Sequence, residues 1–187
     1  MAMAEAQASR VFIRRVTRND EHEFTSAMRE SNDLHEPWIS PPTNAALFKA
    51  YLHRIAREDH EGFAICEKET GAIVGVINLN NIVRGSFQSA SLGYYVVARF
   101  QGEGFMYEGL SLLVEFACKT LGLHRLEANI QPENHRSQRL VERVGFVQEG
   151  LSKEFLFIAG AWRDHIRFCY IDQRTTLRAI RSRLIRA

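Results

Sequence analysis

Apolar positions along this chain recur with two different periods, and each period predicts a different kind of element. Short runs rich in β-branched and aromatic residues predict β-strands. These runs are RVFIRRV at 10–16, GFAICEK at 62–68, AIVGVINL at 72–79, SASLGYYVV at 89–97 and RLEANI at 125–130. Two further strands are predicted on either side of IAGAW at 158–162.

Apolar residues spaced three or four positions apart predict helices in the second half of the chain. The clearest set is Met106, Leu110, Leu113, Val114, Ala117 and Leu121. Gly122 follows this set and predicts the end of the helix, because glycine readily adopts the left-handed conformation found there. A shorter helix is predicted from Asn134 to Val144, ending at Gly145.

The first half of the chain contains two predicted helices and a proline-rich loop. Thr17 with Asp20 three residues later resembles a capping box, which predicts a helix running toward Glu30. Thr43 predicts the cap of a second helix. Three of the four prolines fall in SNDLHEPWISPP at 31–42, and residues before proline avoid helical conformation, so this segment is predicted to be a loop.

The predicted elements follow the order βααβββαβαββ and describe one mixed α/β domain. The chain of 187 residues is long enough for a substantial core. We expect the domain to occupy residues 1–173. The remaining segment, 174–187, carries five arginines and no acid, and is predicted to be a basic tail or helix.

Composition narrows the class of protein. Hydrophobic residues make up 45% of the chain and charged residues 25%, and the net charge of +2 argues against a surface devoted to nucleic acid. Cys66, Cys118 and Cys169 are widely spaced without a CxxC pair, which fits a reduced compartment and neither a disulfide framework nor a zinc site. No run is long enough to span a membrane, and MAMAEAQASR lacks the apolar core of a signal peptide, so we expect a cytoplasmic protein.

One glycine-rich turn, RFQGEGFMYEG at 99–109, separates a predicted strand from a predicted helix. Helix N-termini carry unpaired N–H groups and bind anions, and glycine lets a ligand approach the backbone closely. The lysine of a Walker loop is missing, as is the third glycine of a dinucleotide fingerprint. The spacing Arg99-x-x-Gly102-x-Gly104 favours another phosphate ligand, although the glycines could also serve only the geometry of a tight turn.

Two segments resemble the GNAT N-acetyltransferase superfamily. Arg99-x-x-Gly102-x-Gly104 is similar to its acyl-coenzyme A pyrophosphate loop, and PENHRSQRLVERVGF at 132–146 is similar to its N-x-x-[AS]-x-x-L-x-x-x-x-G-F segment. With EPW at 36–38, LGYYV at 92–96 and GAWRDH at 160–165, the chain resembles the bacterial ribosomal-protein N-terminal acetyltransferases, the Rim enzymes. The resemblance covers about residues 10–172.

The resemblance implies a fold and a cosubstrate. The fold would be a mixed, mostly antiparallel sheet of about seven strands with helices on both faces. The cosubstrate would be acetyl-coenzyme A, with its pantetheine arm beside a splayed strand at 95–97 and its pyrophosphate on the turn; no metal is expected. The residues expected to contact it are Tyr95, Val96, Val97, Arg99, Gln101, Gly102, Glu103, Gly104, Phe105, Met106, Asn134 and Ser137.

The resemblance also implies candidate catalytic residues. Many relatives carry a tyrosine that helps the thiolate leave, but this chain has Leu140 and Val141 at that place. Ser137 is the nearest hydroxyl, and it either contacts the thiolate or serves only as a local helix cap partner. For the base that accepts the ammonium proton, Glu127 is the first candidate and Glu154 the second; Glu127 could equally be a solvated strand residue. Glu108 lies in the first turn of a helix, which explains a carboxylate there without catalysis.

The acceptor is expected to meet the loop at 31–42. In related enzymes this region forms one wall of the acceptor cleft, so Asp33, Glu36 and Trp38 are candidates for substrate binding, although a packed Trp38 with solvated acids is equally natural. The seven histidines lack metal-ligand spacing. His35, His135 and His165 are therefore predicted to lie at the surface or behind the site.

Three functions remain open from the sequence. The first is acetylation of a protein N-terminus, with ribosomal proteins included among the acceptors. The second is the same chemistry on a small amine such as an antibiotic, a polyamine or an amino acid. The third is a non-catalytic acyl-coenzyme A sensor or ribosome-binding module. A monomer or homodimer is expected, with no membrane partner and with nucleic acid nearby only through a ribosome.

Overall fold

The computed structural model describes residues 9–173. The sheet contains seven strands: β1 (Val11–Arg15), β2 (Glu61–Glu67), β3 (Ile73–Val83), β4 (Ser89–Val96), β5 (Arg125–Ile130), β6 (Val147–Ile158) and β7 (Ala161–Ile171). Five α-helices accompany it: α1 (Glu21–Glu30), α2 (Asn32–His35), α3 (Ala45–Ile55), α4 (Phe105–Lys119) and α5 (His135–Val144).

The strands form one sheet in the order β1-β2-β3-β4-β5-β7-β6. Only β4 and β5 run parallel, and α4 makes the crossover between them, since parallel neighbours need a long connection. All other neighbouring pairs are antiparallel. This arrangement confirms the expected mostly antiparallel sheet.

Side chains that alternate along the strands divide the core between the two faces of the sheet. On β2, Phe63 and Ile65 pack with α4 in the larger core, whereas Ala64 and Cys66 pack with α1 and α3 in the smaller one. This period of two is the reason that both faces are apolar near the sheet centre. Helices therefore cover both faces, as predicted.

The first half of the chain differs from the prediction in one element. Residues 32–35, predicted as loop, form the one-turn helix α2, so three helices instead of two precede β2. The turn forms because Ser31 and His35 are buried, at 1% and 4% exposure, and Ser31 Oγ donates to Ala27 O at 2.7 Å. Burial of these polar side chains depends on neighbours that a local pattern does not show.

Helix caps test the local predictions directly. The capping box of Thr17 and Asp20 is present, and Gly145 ends α5 in the left-handed conformation with φ 104°, so both predictions are confirmed. The cap of α3 was predicted at Thr43 but is Asn44, whose side chain accepts from Leu47 N at 3.0 Å. Asparagine and threonine are both good caps, and the sequence does not decide between neighbours.

Within the described part of the chain, no helix is long and apolar enough to cross a membrane. The predicted basic tail at 174–187 lies outside the described residues.

Candidate active site

Strands β4 and β5 separate in the middle of the sheet. They pair only from Ser89 with Arg125 to Leu92 with Ala128, although both strands continue beyond these positions. Val97 N donates to Val74 O on β3 at 2.9 Å, so the backbone groups of residues 93, 95 and 97 face β3. Those of Tyr94 and Val96 consequently face the gap that opens toward β5.

The three strand residues predicted to bind the cosubstrate therefore differ in their orientation. Val96 presents its backbone to the gap, as expected. Tyr95 is 6% exposed, and its ring packs edge-on against Phe24 and His35 at centroid distances of 6.2 and 5.6 Å. Because Tyr95 pairs with β3 and buries its ring, it supports the strand instead of facing the gap, and Val97 does the same through its bond to β3.

The glycine-rich turn begins directly after β4. Gln101 N already donates to Ala98 O at 3.0 Å, so this predicted anion donor is occupied within the turn. Gly102 and Gly104 have φ values of 87° and 85°, a conformation that favours glycine. Gly104 caps α4, and the helix ladder begins only with Glu108 N donating to Gly104 O at 3.2 Å.

The amide groups from Gly102 to Met106 therefore lie ahead of the hydrogen-bonded part of α4, where helix N–H groups lack partners and the macrodipole is positive. Arg99 is exposed near the start of the turn, with its guanidinium 4.9 Å from the centre of the Phe100 ring. Among residues 9–173, no carboxylate pairs with Arg99. The turn combines open amides with an available cation, which suits a phosphate ligand.

Helix α5 carries Ser137, which lies close to Tyr94 of β4. Asn134 Oδ1 accepts from Ser137 N at 3.2 Å, so Asn134 is the helix cap and its side-chain oxygen is occupied by that role. Ser137 Oγ lies 2.5 Å from the hydroxyl oxygen of Tyr94, and either group can donate. Burial raises the pKa of Tyr94, so its hydroxyl stays protonated at neutral pH.

Tyr94 is a residue that the sequence reasoning missed as a functional candidate. It lies on β4 and packs against the larger core on the α4 side of the sheet, whereas the adjacent Tyr95 belongs to the smaller core. Strand alternation could have placed the two tyrosines on opposite faces. No motif links Tyr94 to Ser137, which is 43 residues away in the chain.

Glu127 lies on β5 within a cluster of ion pairs. Arg125 Nε and an Arg167 terminal nitrogen lie 2.7 and 3.3 Å from the same oxygen, Oε1. Arg125 also donates to both carboxylate oxygens of Glu149, at 2.9 and 2.5 Å. Within the described structure, Oε2 of Glu127 is left without a hydrogen-bond partner, so one oxygen remains available to a water or an amine.

Glu154, the second candidate base, lies on the edge strand β6. It occupies an irregularity between the pairings of Ser152 and Leu156 and has a φ of 46°, uncommon for a residue with a side chain. Its backbone N–H donates to Asp164 Oδ1 at 2.8 Å, while its side chain is exposed. The irregularity thus takes the backbone N–H of Glu154 out of the ladder, and the carboxylate is exposed.

The loop after α2 reaches the end of β5. Trp38 is partly buried, and its carbonyl accepts a long bond from Gln131 Nε2 at 3.5 Å. Asp33 and Glu36 are exposed. Asp33 in α2 and Glu36 directly after it therefore present two carboxylates beside a segment that is anchored to the sheet.

His35 connects this loop to the gap. Its Nε2 donates to Val96 O at 2.9 Å, which fixes the proton on that nitrogen. Nδ1 is buried and has no hydrogen-bond partner among the described residues. Burial lowers the pKa of His35 and outweighs the opposing effect of the Val96 bond, so the ring is neutral at pH 7.

The three histidines predicted at the surface or behind the site have different surroundings. His135 is exposed. His35 and His165 are buried, at 4% and 2% exposure, so a surface position is wrong for both. Residues 9–173 contain no group of three His, Cys, Asp or Glu side chains that could hold a metal ion.

Comparisons with known proteins indicate one and the same family. A family profile described as the acetyltransferase (GNAT) domain matches residues 10–147. The chain is 41% identical over 104 residues to the ribosomal protein uS5-alanine N-acetyltransferase of Escherichia coli K12, covering 56% of this chain and 54% of that protein. The chain therefore spans about half the length of this curated relative.

Two further similarities bear on the site. A structure of Mycobacterium smegmatis RimJ in complex with CoA-disulfide is 26% identical, with a TM-score of 0.80, covering 94% of this chain and 88% of that one. The spermidine N(1)-acetyltransferase of Escherichia coli K12 is 24% identical over 140 residues, or 73% of each chain. The matched profile covers the gap between β4 and β5 and the glycine-rich turn, and the chain belongs to the GNAT acetyltransferase family.

Proposed function

We propose that this enzyme transfers an acetyl group from acetyl-coenzyme A to the N-terminal α-amine of a protein, with ribosomal proteins as the first candidates. The observation that carries the proposal is the separation of β4 and β5 directly before the open N-terminus of α4. The similarity to the uS5-alanine acetyltransferase supports this acceptor class.

The chain's own groups fit the cosubstrate. The amides from Gly102 to Met106 would bind the pyrophosphate, with Arg99 as a further cation. The gap-facing N–H of Val96 would bond the pantetheine arm as an edge strand bonds an added one, while Val96 O is already bonded to His35 Nε2. When bound, acetyl-coenzyme A supplies an acetyl group activated as a thioester.

The acceptor amine must lose a proton before it can attack. The ordinary pKa of an α-amine is about 8, so a carboxylate acting through one water can accept this proton near neutral pH. Oε2 of Glu127 is the candidate nearest the separated strands, since Ser91 of β4 pairs with Glu127. Glu154 is the second candidate, because its carboxylate is exposed at the bulge of β6.

The departing thiolate needs a hydrogen-bond donor. Ser137 is the candidate donor, and of the two directions that its bond with Tyr94 allows, donation from Tyr94 to Ser137 Oγ would support this role. In that arrangement the serine hydroxyl is free to point at the sulfur. Tyr94 would compensate in part for the tyrosine that is replaced by Leu140 and Val141 in this chain.

The acceptor would enter beside the loop that follows α2. Its ammonium group is attracted by the exposed carboxylates of Asp33 and Glu36, while the Trp38 segment forms the wall. A polyamine acceptor is the second candidate, because the same carboxylates suit a polycation and the spermidine acetyltransferase covers 73% of the chain.

Turnover with acetyl-coenzyme A on matched acceptors tests the proposal. Peptides beginning with alanine, serine or methionine are compared with the same peptides blocked by N-terminal acetylation, and with spermidine. We expect turnover on free peptides, with kcat/KM well above that on spermidine and none on blocked ones. Faster turnover on spermidine than on every peptide would replace the first acceptor class with the second.

A further inference from the structure

Arg10 directly precedes β1 and hydrogen-bonds the glycine-rich turn. Its terminal nitrogen Nη2 donates to Glu103 O at 2.7 Å, in the middle of the turn. The same nitrogen lies 2.6 Å from Glu108 Oε1, and Nε donates to that oxygen at 2.7 Å. The backbone N–H of Arg10 donates to the other oxygen of Glu108 at 2.6 Å.

Two further contacts keep the guanidinium in this position. It stacks over the Phe105 ring, 4.4 Å from its centre, and Phe105 is the first residue of α4. Ser9 Oγ donates to Glu108 Oε2 at 3.2 Å. Arg10 thus contacts Glu103 within the turn as well as Phe105 and Glu108 at the start of α4. These residues lie about a hundred positions away in sequence.

Glu108 would otherwise weaken an anion site. It lies in the first turn of α4, where its charge stabilises the free helix but repels a diphosphate bound at the same end. Partial burial acts to raise the pKa of Glu108, but the hydrogen bonds from Arg10 outweigh it and keep the pKa below its usual value. The carboxylate is ionised at neutral pH. Its charge would therefore repel a bound diphosphate unless a neighbouring cation neutralises it.

We propose that Arg10 is a positioning residue for the diphosphate of the acetyl donor, holding the turn at Glu103 and neutralising Glu108. The inference rests on the proposed use of acetyl-coenzyme A. It adds a residue outside the turn itself, and the backbone N–H, Nε and Nη2 of Arg10 all bond protein atoms. Its effect on the donor is therefore indirect, through amide orientation and local charge.

The test compares two acetyl donors, acetyl-coenzyme A and S-acetylpantetheine, which lacks the diphosphate. Arg10→Ala should raise KM for acetyl-coenzyme A by at least about fivefold and leave kcat within about twofold. KM for S-acetylpantetheine should not change. The matched control is Arg15→Ala, because Arg15 is also an exposed arginine of β1 in an ion pair, with Glu61 at 2.8 Å.

Two further variants keep the test decisive if Arg10→Ala is unstable. Arg10→Lys retains the charge but cannot bond both Glu103 O and Glu108, so its KM for acetyl-coenzyme A should lie between wild type and Arg10→Ala. Arg10→Ala combined with Glu108→Gln should recover part of the lost affinity, because the uncompensated charge is gone. An unchanged KM for acetyl-coenzyme A in Arg10→Lys would overturn the inference, and so would an equal rise in KM for both acetyl donors in Arg10→Ala. A wild-type protein that does not bind coenzyme A would overturn the proposed function itself.

Discussion

Ser137 and Tyr94 come from elements that the sequence keeps far apart, and their hydroxyl oxygens lie 2.5 Å from each other. Among residues 9–173, two arginines likewise contact one oxygen of Glu127 and no partner bonds the other. At the scale of single residues, the proposed chemistry therefore depends on which lone pair or proton remains available. Two predictions concern these atoms.

Ser137→Ala should lower kcat by about tenfold to a hundredfold, because a hydrogen bond to a charged group is worth about 1.5–3 kcal/mol. The KM for acetyl-coenzyme A should change little, since the bond strengthens only as charge develops on sulfur. Tyr94→Phe should give a smaller loss in kcat of about tenfold or less. Steady-state kinetics of both variants are the measurement, and a normal kcat in Ser137→Ala would leave backbone or water as the thiolate partner.

Glu127→Gln should reduce kcat/KM for a peptide by about 10²–10⁴ near neutral pH if Oε2 accepts the ammonium proton. The loss should shrink as the pH rises, because more of the amine is then already deprotonated. A pH–rate profile at saturating acetyl-coenzyme A is compared with that of Glu154→Gln. A wild-type profile for Glu127→Gln, together with a large loss in Glu154→Gln, would move the role to Glu154.

The elements that create the site are one strand pair and the helix that connects it. The β4–α4–β5 crossover supplies both the gap and the helix N-terminus proposed to bind the diphosphate, because a parallel connection places the helix start at the end of the first strand. The glycine-rich turn at its first corner holds Gly102 and Gly104 at positive φ, where a side chain is strained.

Gly104→Val should weaken coenzyme A binding by at least about tenfold. Valine is strained at the φ of 85°, and the added atom would lie 3.2 Å from the Arg10 guanidinium, closer than an ordinary contact. Isothermal titration calorimetry measures the affinity. The matched control is Gly71→Val, which has a similar φ of 76° and open space around it, in the β2–β3 turn; equal affinities for the two variants would remove the pyrophosphate assignment.

At the scale of the whole molecule, two buried histidines bond backbone carbonyls of the sheet. His35 bonds the gap-facing carbonyl of Val96, and His165 bonds Arg163 O through Nδ1 at 2.9 Å. Burial lowers the pKa of His165, as it does for His35, and outweighs the bond to Arg163 O and the charge of Asp164. Both rings are neutral in the folded enzyme.

The free energy of unfolding should therefore fall as the pH drops below about 6.5, the ordinary pKa of histidine. The unfolded chain binds protons there that the folded one excludes, so stability is complete above pH 6.5 and is lost toward the lowered folded pKa, by at most about 1.4 kcal/mol per pH unit for each ring. Urea unfolding from pH 5 to 7.5 measures this. His35→Gln should flatten the dependence, whereas His22→Gln, at an exposed position of α1, should not.

Local chemistry explains why much of the fold was predictable. Period-two and helical spacing placed the strands and the long helix, and the capping pair of Thr17 and Asp20 and the terminator Gly145 fixed helix ends through contacts within a few residues. The prediction was weaker where two good caps are adjacent, at Thr43 and Asn44, and where burial at His35 made a helical turn out of an expected loop.

The seven strands, the glycines at the start of α4 and the family resemblance could all be predicted from the sequence, because each depends on spacing along the chain. Only the tertiary structure decided that β4 leaves β5 after Leu92, that Tyr94 meets Ser137, and that Arg10 reaches Glu103 and Glu108. These contacts join residues 36 to 98 positions apart. Which distant residues meet depends on how the sheet twists and how its helices pack, and spacing along the chain carries no direct record of that.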